Sequence, residues 1–150
     1  MSQRAKDLSK RIESFRDDVI TYVDAFTGED WNAKCDAEDW TAGVTARHIG
    51  AGHFGIFGLA GMIVEGKDLP PLTFDQINEN SEKDSRALAA LRKNGADLVA
   101  FIAGLSDEEL DRKGSMPAFG GDVTVSQVIE FVIFQSAQEH FDSMKKAVGR

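Results

Sequence analysis

Three histidines are the residues of this chain best suited to chemistry: His48, His53 and His140. His48 lies one helical turn after Val44, and His140 follows Ile133 by seven residues, so both fall on inward-facing stripes of helices. Imidazole nitrogens on facing helices of a bundle can bind a divalent metal ion. A hydrogen-bonded interior histidine is the alternative that these residues leave open.

The third histidine has a different helical phase. His53 follows His48 by five residues, a rotation of about 500° in an α-helix, which leaves the two side chains about 140° apart. We therefore predict that His53 lies at an edge of the helix and does not join a ligand set that contains His48.

A glycine-rich stretch surrounds these two histidines. Residues 50–55 match G-x-G-x-x-G, but a dinucleotide-binding turn needs a strand before the first glycine and a helix beginning at the last. The preceding residues have no strand pattern, which argues against a nucleotide loop. Each glycine inside a helix costs about 1 kcal/mol relative to alanine, so a repeat of glycines favours a strip for close helix packing. The repeat consists of Gly52, Gly55, Gly58 and Gly61.

Composition excludes several classes of partner. The 17 basic and 25 acidic residues give a net charge of −8, which would repel nucleic acid and an anionic membrane surface. The single cysteine, Cys35, excludes an internal disulfide and is typical of a reducing cytoplasm. Because Lys34 is the one cation near it, we expect a small loop residue there and not a nucleophile. The start has no leader-like apolar segment and no run is long enough to span a membrane, so we expect a cytoplasmic protein.

Apolar residues recur at steps of three and four in four segments, which predicts four amphipathic helices. The first carries an apolar stripe from Leu8 and ends at Thr27-Gly28, and the second runs from Thr41 to Glu65-Gly66. The third begins at a capping box in residues 73–76 and the fourth at a capping box in residues 124–127. No segment alternates with period two. The sequence thus predicts a single all-α domain, residues 1–150, with a four-helix bundle.

The connections are predicted as follows. Residues 29–40 have no period and predict a loop, long enough for a crossover between helices. The capping box at residues 106–109 predicts one short extra helix, and residues 114–122 predict a further loop. Gly95 is a candidate kink in the third helix.

Short motifs are spread over nearly the whole chain in a distinctive order. They are Glu29-Asp30-Trp31, Glu38-Asp39-Trp40-Thr41 followed by His48-Ile49, residues 105–110, residues 124–127, and His140-Phe141. In order and spacing the chain resembles the DinB-like and mycothiol-dependent maleylpyruvate isomerase superfamily. The resemblance implies a four-helix bundle with a divalent metal, often zinc or nickel. One histidine of the second helix and two ligands one turn apart on the last helix would hold that metal.

By this resemblance His48 and His140 are metal ligands, and the third ligand position falls on Ser136. The family has histidine or glutamate there, whereas a neutral serine hydroxyl is a poor ligand. The neighbours Gln135 and Glu139 point about 100° or more away from the site. We therefore expect a site that is either empty or completed by water or a carboxylate of another helix, with a pocket lined by His48, Ser136 and His140.

Two functional hypotheses follow from the resemblance. The favoured one is a small-ligand-binding or stress-response bundle with a degraded metal site. The alternative is a divalent-metal-dependent thiol transferase or isomerase that acts on a small electrophile. In that case the metal lowers the pKa of a low-molecular-weight thiol, and its thiolate attacks. Members of the family are often dimers, so we also expect a homodimer, with the glycine strip as a candidate seam.

Overall fold

Four long helices dominate the structure, a computed structural model that describes residues 2–67, 84–116 and 120–150, with no side chains described for 84–86. The elements are α1 (Gln3–Asp24), α2 (Gly28–Asn32), α3 (residues 42–64), α4 (Asp84–Ala103), α5 (Asp107–Leu110) and α6 (residues 125–148). The predicted four-helix bundle is confirmed. The expected start of the third helix at residues 73–76 lies outside the described residues.

The helices begin where the sequence places caps. The hydroxyl of Thr41 accepts a hydrogen bond from the backbone N–H of Val44 at the start of α3. Ser106 and Thr124 form capping boxes at the starts of α5 and α6. Such a cap is worth about 1 kcal/mol because it satisfies an otherwise unpaired backbone donor.

Both helices that carry the histidines change their winding part-way along. In α3, an α-helical segment (Ala42–His48) is followed by a π-helical turn (Ile49–His53), a 3-10 turn (Phe54–Ile56) and a second α-helical segment (Phe57–Val64). In α6, a π-helical segment (Glu130–Ala137) joins two α-helical ones (Val125–Ile129 and Gln138–Val148). A π-helix closes its hydrogen bonds between residues i and i+5, so one turn takes more residues than in an α-helix.

Two stretches expected to be loops contain antiparallel hairpins, and both loop predictions are wrong in this respect. Strand β1 (Lys34–Cys35) pairs with β2 (Trp40–Thr41), and β3 (Lys113–Met116) pairs with β4 (Gly121–Thr124). The first stretch also contains α2, capped by Thr27. Strands of two to four residues are too short for an alternating pattern to be recognised.

Aromatic contacts tie α1 to both histidine-bearing helices. Phe15, on the buried stripe of α1, meets the rings of Phe54 and Phe141 edge-on, with centroids 6.1 and 5.9 Å apart. Phe54 directly follows His53 and Phe141 directly follows His140. The ring of Phe15 therefore packs against the residues that directly follow two of the three histidines.

None of the helices within the described residues combines the length and apolar character needed to cross a membrane.

The predicted glycine strip is only partly a packing surface. A Cβ added at Gly55 or Gly58 would meet nothing within 4 Å, and one at Gly61 would make only an ordinary contact with Phe101 at 3.8 Å. The close approach is instead at Gly50, where a Cβ would lie 2.9 Å from the backbone N of Leu91. Periodicity identified a glycine-rich helix, but the position of α4 decides which glycine is needed.

Gly50→Ala is expected to destabilise the protein relative to Gly58→Ala by about 1–3 kcal/mol, because the added methyl overpacks against the backbone of α4. Gly58→Ala is the matched control, since its methyl meets open space and alanine favours a helix by up to about 1 kcal/mol. Urea unfolding of both variants measures the difference. Equal stabilities would contradict the close packing at Gly50.

Candidate metal centre

All three histidines meet in one cluster between α3 and α6. The ring centroids of His48 and His53 are 4.7 Å apart, those of His48 and His140 are 4.9 Å apart, and those of His53 and His140 are 5.1 Å apart. One potential ligand atom from each residue lies within 4.8 Å of the other two. His48 and His53 are 6% exposed, and the side chain of His140 is 20% exposed.

The expectation that His53 points away from His48 is wrong. It assumed α-helical rotation, whereas residues Ile49–His53 form a π-turn in which the N–H of Phe54 bonds to the carbonyl oxygen of Ile49. In a π-turn, the residue five positions along lies about one turn further on and returns towards the same face. His53 therefore lies beside His48.

The hydrogen bonds of His53 define its tautomer. Its Nδ1 lies 3.3 Å from the carbonyl oxygen of His48, which can only accept, so Nδ1 carries the proton. Burial, together with the neighbouring histidines, lowers the pKa of His53 to about 3, so the ring is neutral near pH 7. Its Nε2 then carries a lone pair and accepts a hydrogen bond from the Ser136 hydroxyl at 3.0 Å.

His140 is fixed in the same way by a carboxylate. Its Nδ1 donates to Glu38 Oε2 at 2.7 Å, and the Ser143 hydroxyl donates to Glu38 Oε1 at 2.6 Å. The side chain of Glu38 is only 9% exposed. With Nδ1 occupied, Nε2 is the nitrogen of His140 that remains for a ligand. In the sequence Glu38 belongs only to the motif Glu38-Asp39-Trp40-Thr41, and its spacing gives no sign of a contact with His140, 102 residues away.

His48 completes the cluster with an unsatisfied atom. Its Nδ1 is buried and has no hydrogen-bond partner among the described residues. Burial, reinforced by His140, lowers the pKa of His48 to about 4, against an opposing effect of Glu38. The ring of Trp40 packs against His48 and His140, with centroids 5.0 and 5.9 Å away.

The donor set fits a divalent transition metal. Zinc–nitrogen bonds of about 2.0–2.1 Å keep two ligand nitrogens at most about 4.2 Å apart, so atoms within 4.8 Å of one another need only small side-chain rotations. Neutral imidazoles are borderline ligands suited to zinc, copper, iron and nickel. Two of the three have Nδ1 engaged by an oxygen acceptor, which leaves Nε2 for a ligand, the arrangement common in metal-bound histidines.

Ser136 lies at the edge of the cluster, and its hydroxyl contacts His53. The predicted pocket of His48, Ser136 and His140 omitted His53, the residue that connects Ser136 to the other two. Ser136 is thus a neighbour of a candidate ligand on a different helix.

Cys35 has an inert setting. It is fully buried on β1, with Thr45 Oγ1 3.4 Å from its sulfur. Burial raises the pKa of its thiol, which disfavours the reactive thiolate. The expectation that Cys35 is not a nucleophile agrees with this environment, although the residue lies in a strand and not in a loop.

Comparisons with known proteins place the chain among bundles of this kind. The family model described as "DinB superfamily" matches residues 11–139. The structure of YfiT from Bacillus subtilis, described as "a probable metal-dependent hydrolase with an unusual four-helix bundle topology", superposes with a TM-score of 0.79 at 16% sequence identity. The match covers 99% of this chain and 90% of that one. No curated protein sequence matches the chain significantly.

Native Cys35 is expected to react with a thiol-specific disulfide reagent more than about tenfold more slowly than in the denatured chain, because both burial and a raised pKa deplete accessible thiolate. Absorbance of the released thiolate, followed at neutral pH with and without urea, measures the two rates. Equal rates would mean that β1 opens readily or that the thiol is activated.

Proposed function

Because the chain belongs to the DinB superfamily, we propose that it is a divalent-metal-dependent hydrolase of a small electrophilic substrate, with His48, His53 and His140 as the metal ligands. One observation carries the proposal. Three imidazoles converge with potential ligand atoms within 4.8 Å of one another, and Nδ1 of two of them is engaged by an oxygen acceptor, which leaves Nε2 as the nitrogen for a ligand.

A cation explains this arrangement better than a purely structural role does. Interior histidines that serve only the fold satisfy both ring nitrogens with hydrogen bonds, but Nδ1 of His48 has none among the described residues. A cation bound among the three rings would be attracted to their nitrogen lone pairs in a medium of low polarity. Metal binding would then offset the desolvation of His48 and His53.

The hypothesis of a degraded metal site is weakened by the position of His53. It rested on Ser136 standing where the resemblance implies a third ligand. His53 supplies a third imidazole from α3, and its Nε2 lies 3.0 Å from the Ser136 hydroxyl, so a nitrogen donor is available close to that position. The small-ligand-binding hypothesis therefore becomes the outcome expected only if no metal binds.

The chemistry follows from the number of ligands. A divalent metal held by His48, His53 and His140 would leave a coordination position for water and would supply a nucleophile near neutral pH. The protein's part is to hold the imidazoles and limit access. Trp40 flanks His48 and His140, and His140 is the most exposed of the three, so a substrate approaches from the side of His140. The description of YfiT as "a probable metal-dependent hydrolase" supports the choice of hydrolysis.

Purified tag-free protein is expected to bind about one equivalent of zinc or nickel, and His53→Ala is expected to weaken binding by more than about 100-fold. The loss of a direct ligand should exceed the roughly 10- to 100-fold effect of losing a residue that only supports one. Titration against a chromophoric chelator measures both affinities.

Gln135→Ala is the matched control, because Gln135 lies on α6 next to Ser136 and is exposed. It should bind metal like the original protein. If His53→Ala binds as tightly as the control, His53 is not a ligand. If no variant binds either metal, the small-ligand-binding bundle is the function to pursue.

The proximity of Ser136 to His53 permits a ligand exchange. The double variant His53→Ala/Ser136→His is expected to recover at least about tenfold of the lost affinity. The reason is that the side chain at position 136 begins close to the place that His53 Nε2 occupies, 3.0 Å from the Ser136 hydroxyl. The same chelator titration measures the recovery. A double variant no better than His53→Ala would show that α6 cannot supply a ligand at that position.

Hydrolysis and thiol transfer would use the same metal, so metal binding does not distinguish them. Activity assays do. Metal-loaded protein is expected to hydrolyse small ester or amide substrates without added thiol, and His48→Ala should abolish the reaction. Turnover that requires a low-molecular-weight thiol would assign the transferase or isomerase alternative instead. The expected homodimer is tested separately by light scattering at micromolar concentration.

A further inference from the structure

We infer that Glu38 is a positioning residue for the candidate metal centre: it holds the proton of His140 on Nδ1 and so keeps Nε2 available as a donor. The metal-binding part of this inference rests on the proposed function. The tautomer part concerns the protein without metal and stands independently.

The first step is the direction of the hydrogen bonds. A carboxylate oxygen only accepts, so the 2.7 Å contact from His140 Nδ1 to Glu38 Oε2 requires the proton on Nδ1. The other oxygen of Glu38 accepts from the Ser143 hydroxyl at 2.6 Å. Ser143 lies on α6 three residues after His140, so both hydrogen bonds join Glu38 to one face of that helix.

The second step is the anchoring of Glu38 itself. It lies in the tight connection between β1 and β2, where the N–H of Asp39 donates to the carbonyl oxygen of Cys35 at 2.9 Å and Asp39 has a φ of 61°. The sulfur of Cys35 is buried beside Thr45 of α3. The hairpin is thus fixed to α3, while its Glu38 reaches across to α6.

The third step is the shared use of this hairpin. Trp40, two residues after Glu38, packs against both His48 and His140. One hairpin therefore orients the His140 ring through Nδ1 and covers it on another side. A carboxylate on the far nitrogen of a ligand histidine fixes the ring and raises its basicity, and its removal typically lowers metal affinity by about 10- to 100-fold.

The test reads the tautomer directly in metal-free protein. Long-range proton–nitrogen correlation spectra at about pH 8.5, well above the ordinary pKa of histidine, should show His140 with its proton on Nδ1. Glu38→Ala should shift His140 towards the tautomer with its proton on Nε2. Glu38→Gln keeps an oxygen that can accept and should retain most of the Nδ1–H form.

Two further variants keep the inference open to refutation. Ser143→Ala removes the hydroxyl that donates to Glu38 and should shift the tautomer of His140 less than Glu38→Ala does. It replaces Glu38→Ala as the test if that variant does not fold. Glu139→Ala is the matched control, because Glu139 is exposed and adjacent to His140, and it should leave the tautomer unchanged. The inference is overturned if the Nδ1–H signal of His140 in folded Glu38→Ala, or in Ser143→Ala where Glu38→Ala does not fold, is the same as in Glu139→Ala.

Metal affinity gives the second readout. Zinc or nickel should bind Glu38→Ala about 10- to 100-fold more weakly than the original protein, with Glu38→Gln in between and Glu139→Ala unchanged. If the tautomer shifts as expected but no variant binds metal, the proposed function fails and the positioning of His140 by Glu38 stands. If metal binds equally well to Glu38→Ala and to the control, the role of Glu38 in metal binding is refuted.

Discussion

The close approach of α4 to the π-turn of α3 is the constraint on which the histidine cluster depends. The backbone at Gly50 lies so near Leu91 that no side chain fits, and the Gly50 carbonyl oxygen accepts from the amide of Asn94 at 3.0 Å. A π-turn disturbs the regular i to i−4 ladder of a helix, and an outside donor compensates for a carbonyl at that place. Held at this position by α4, the π-turn places His53 beside His48.

Assembling the cluster requires free energy to desolvate the imidazoles, and contacts around the cluster offset part of it. Buried imidazoles lose hydration, which is why the pKa values of His48 and His53 fall to about 4 and about 3. Two of the three rings are held by an oxygen that can only accept: His53 by the carbonyl of His48, and His140 by the carboxylate of Glu38. The rings are pre-oriented, so little side-chain entropy remains to be lost when a ligand binds.

Much of the bundle could be predicted from the sequence because its signals are local. Caps at Thr41, Ser106 and Thr124 act within a few residues, and the apolar stripes need only a constant helical period. The hairpin that carries Glu38 has strands of two residues, and its pairing depends on the turn between them. The placement of His53 failed for a related reason: a helical wheel assumes a constant rotation per residue, whereas the winding of α3 changes between His48 and His53.

The placement of His53 also determines how the serine at position 136 is interpreted. By resemblance alone, a serine at this position of α6 predicts a lost ligand and hence a lost metal. The change of winding in α3 alters the inference, because it brings an imidazole from the opposite helix to within 3.0 Å of the same hydroxyl. A metal centre requires a set of donors in the right place, and the helix that supplies each donor is secondary. The π-turn thus places two imidazoles of the cluster on α3 and one on α6, whereas the resemblance implied one candidate ligand on the second helix and two on the last.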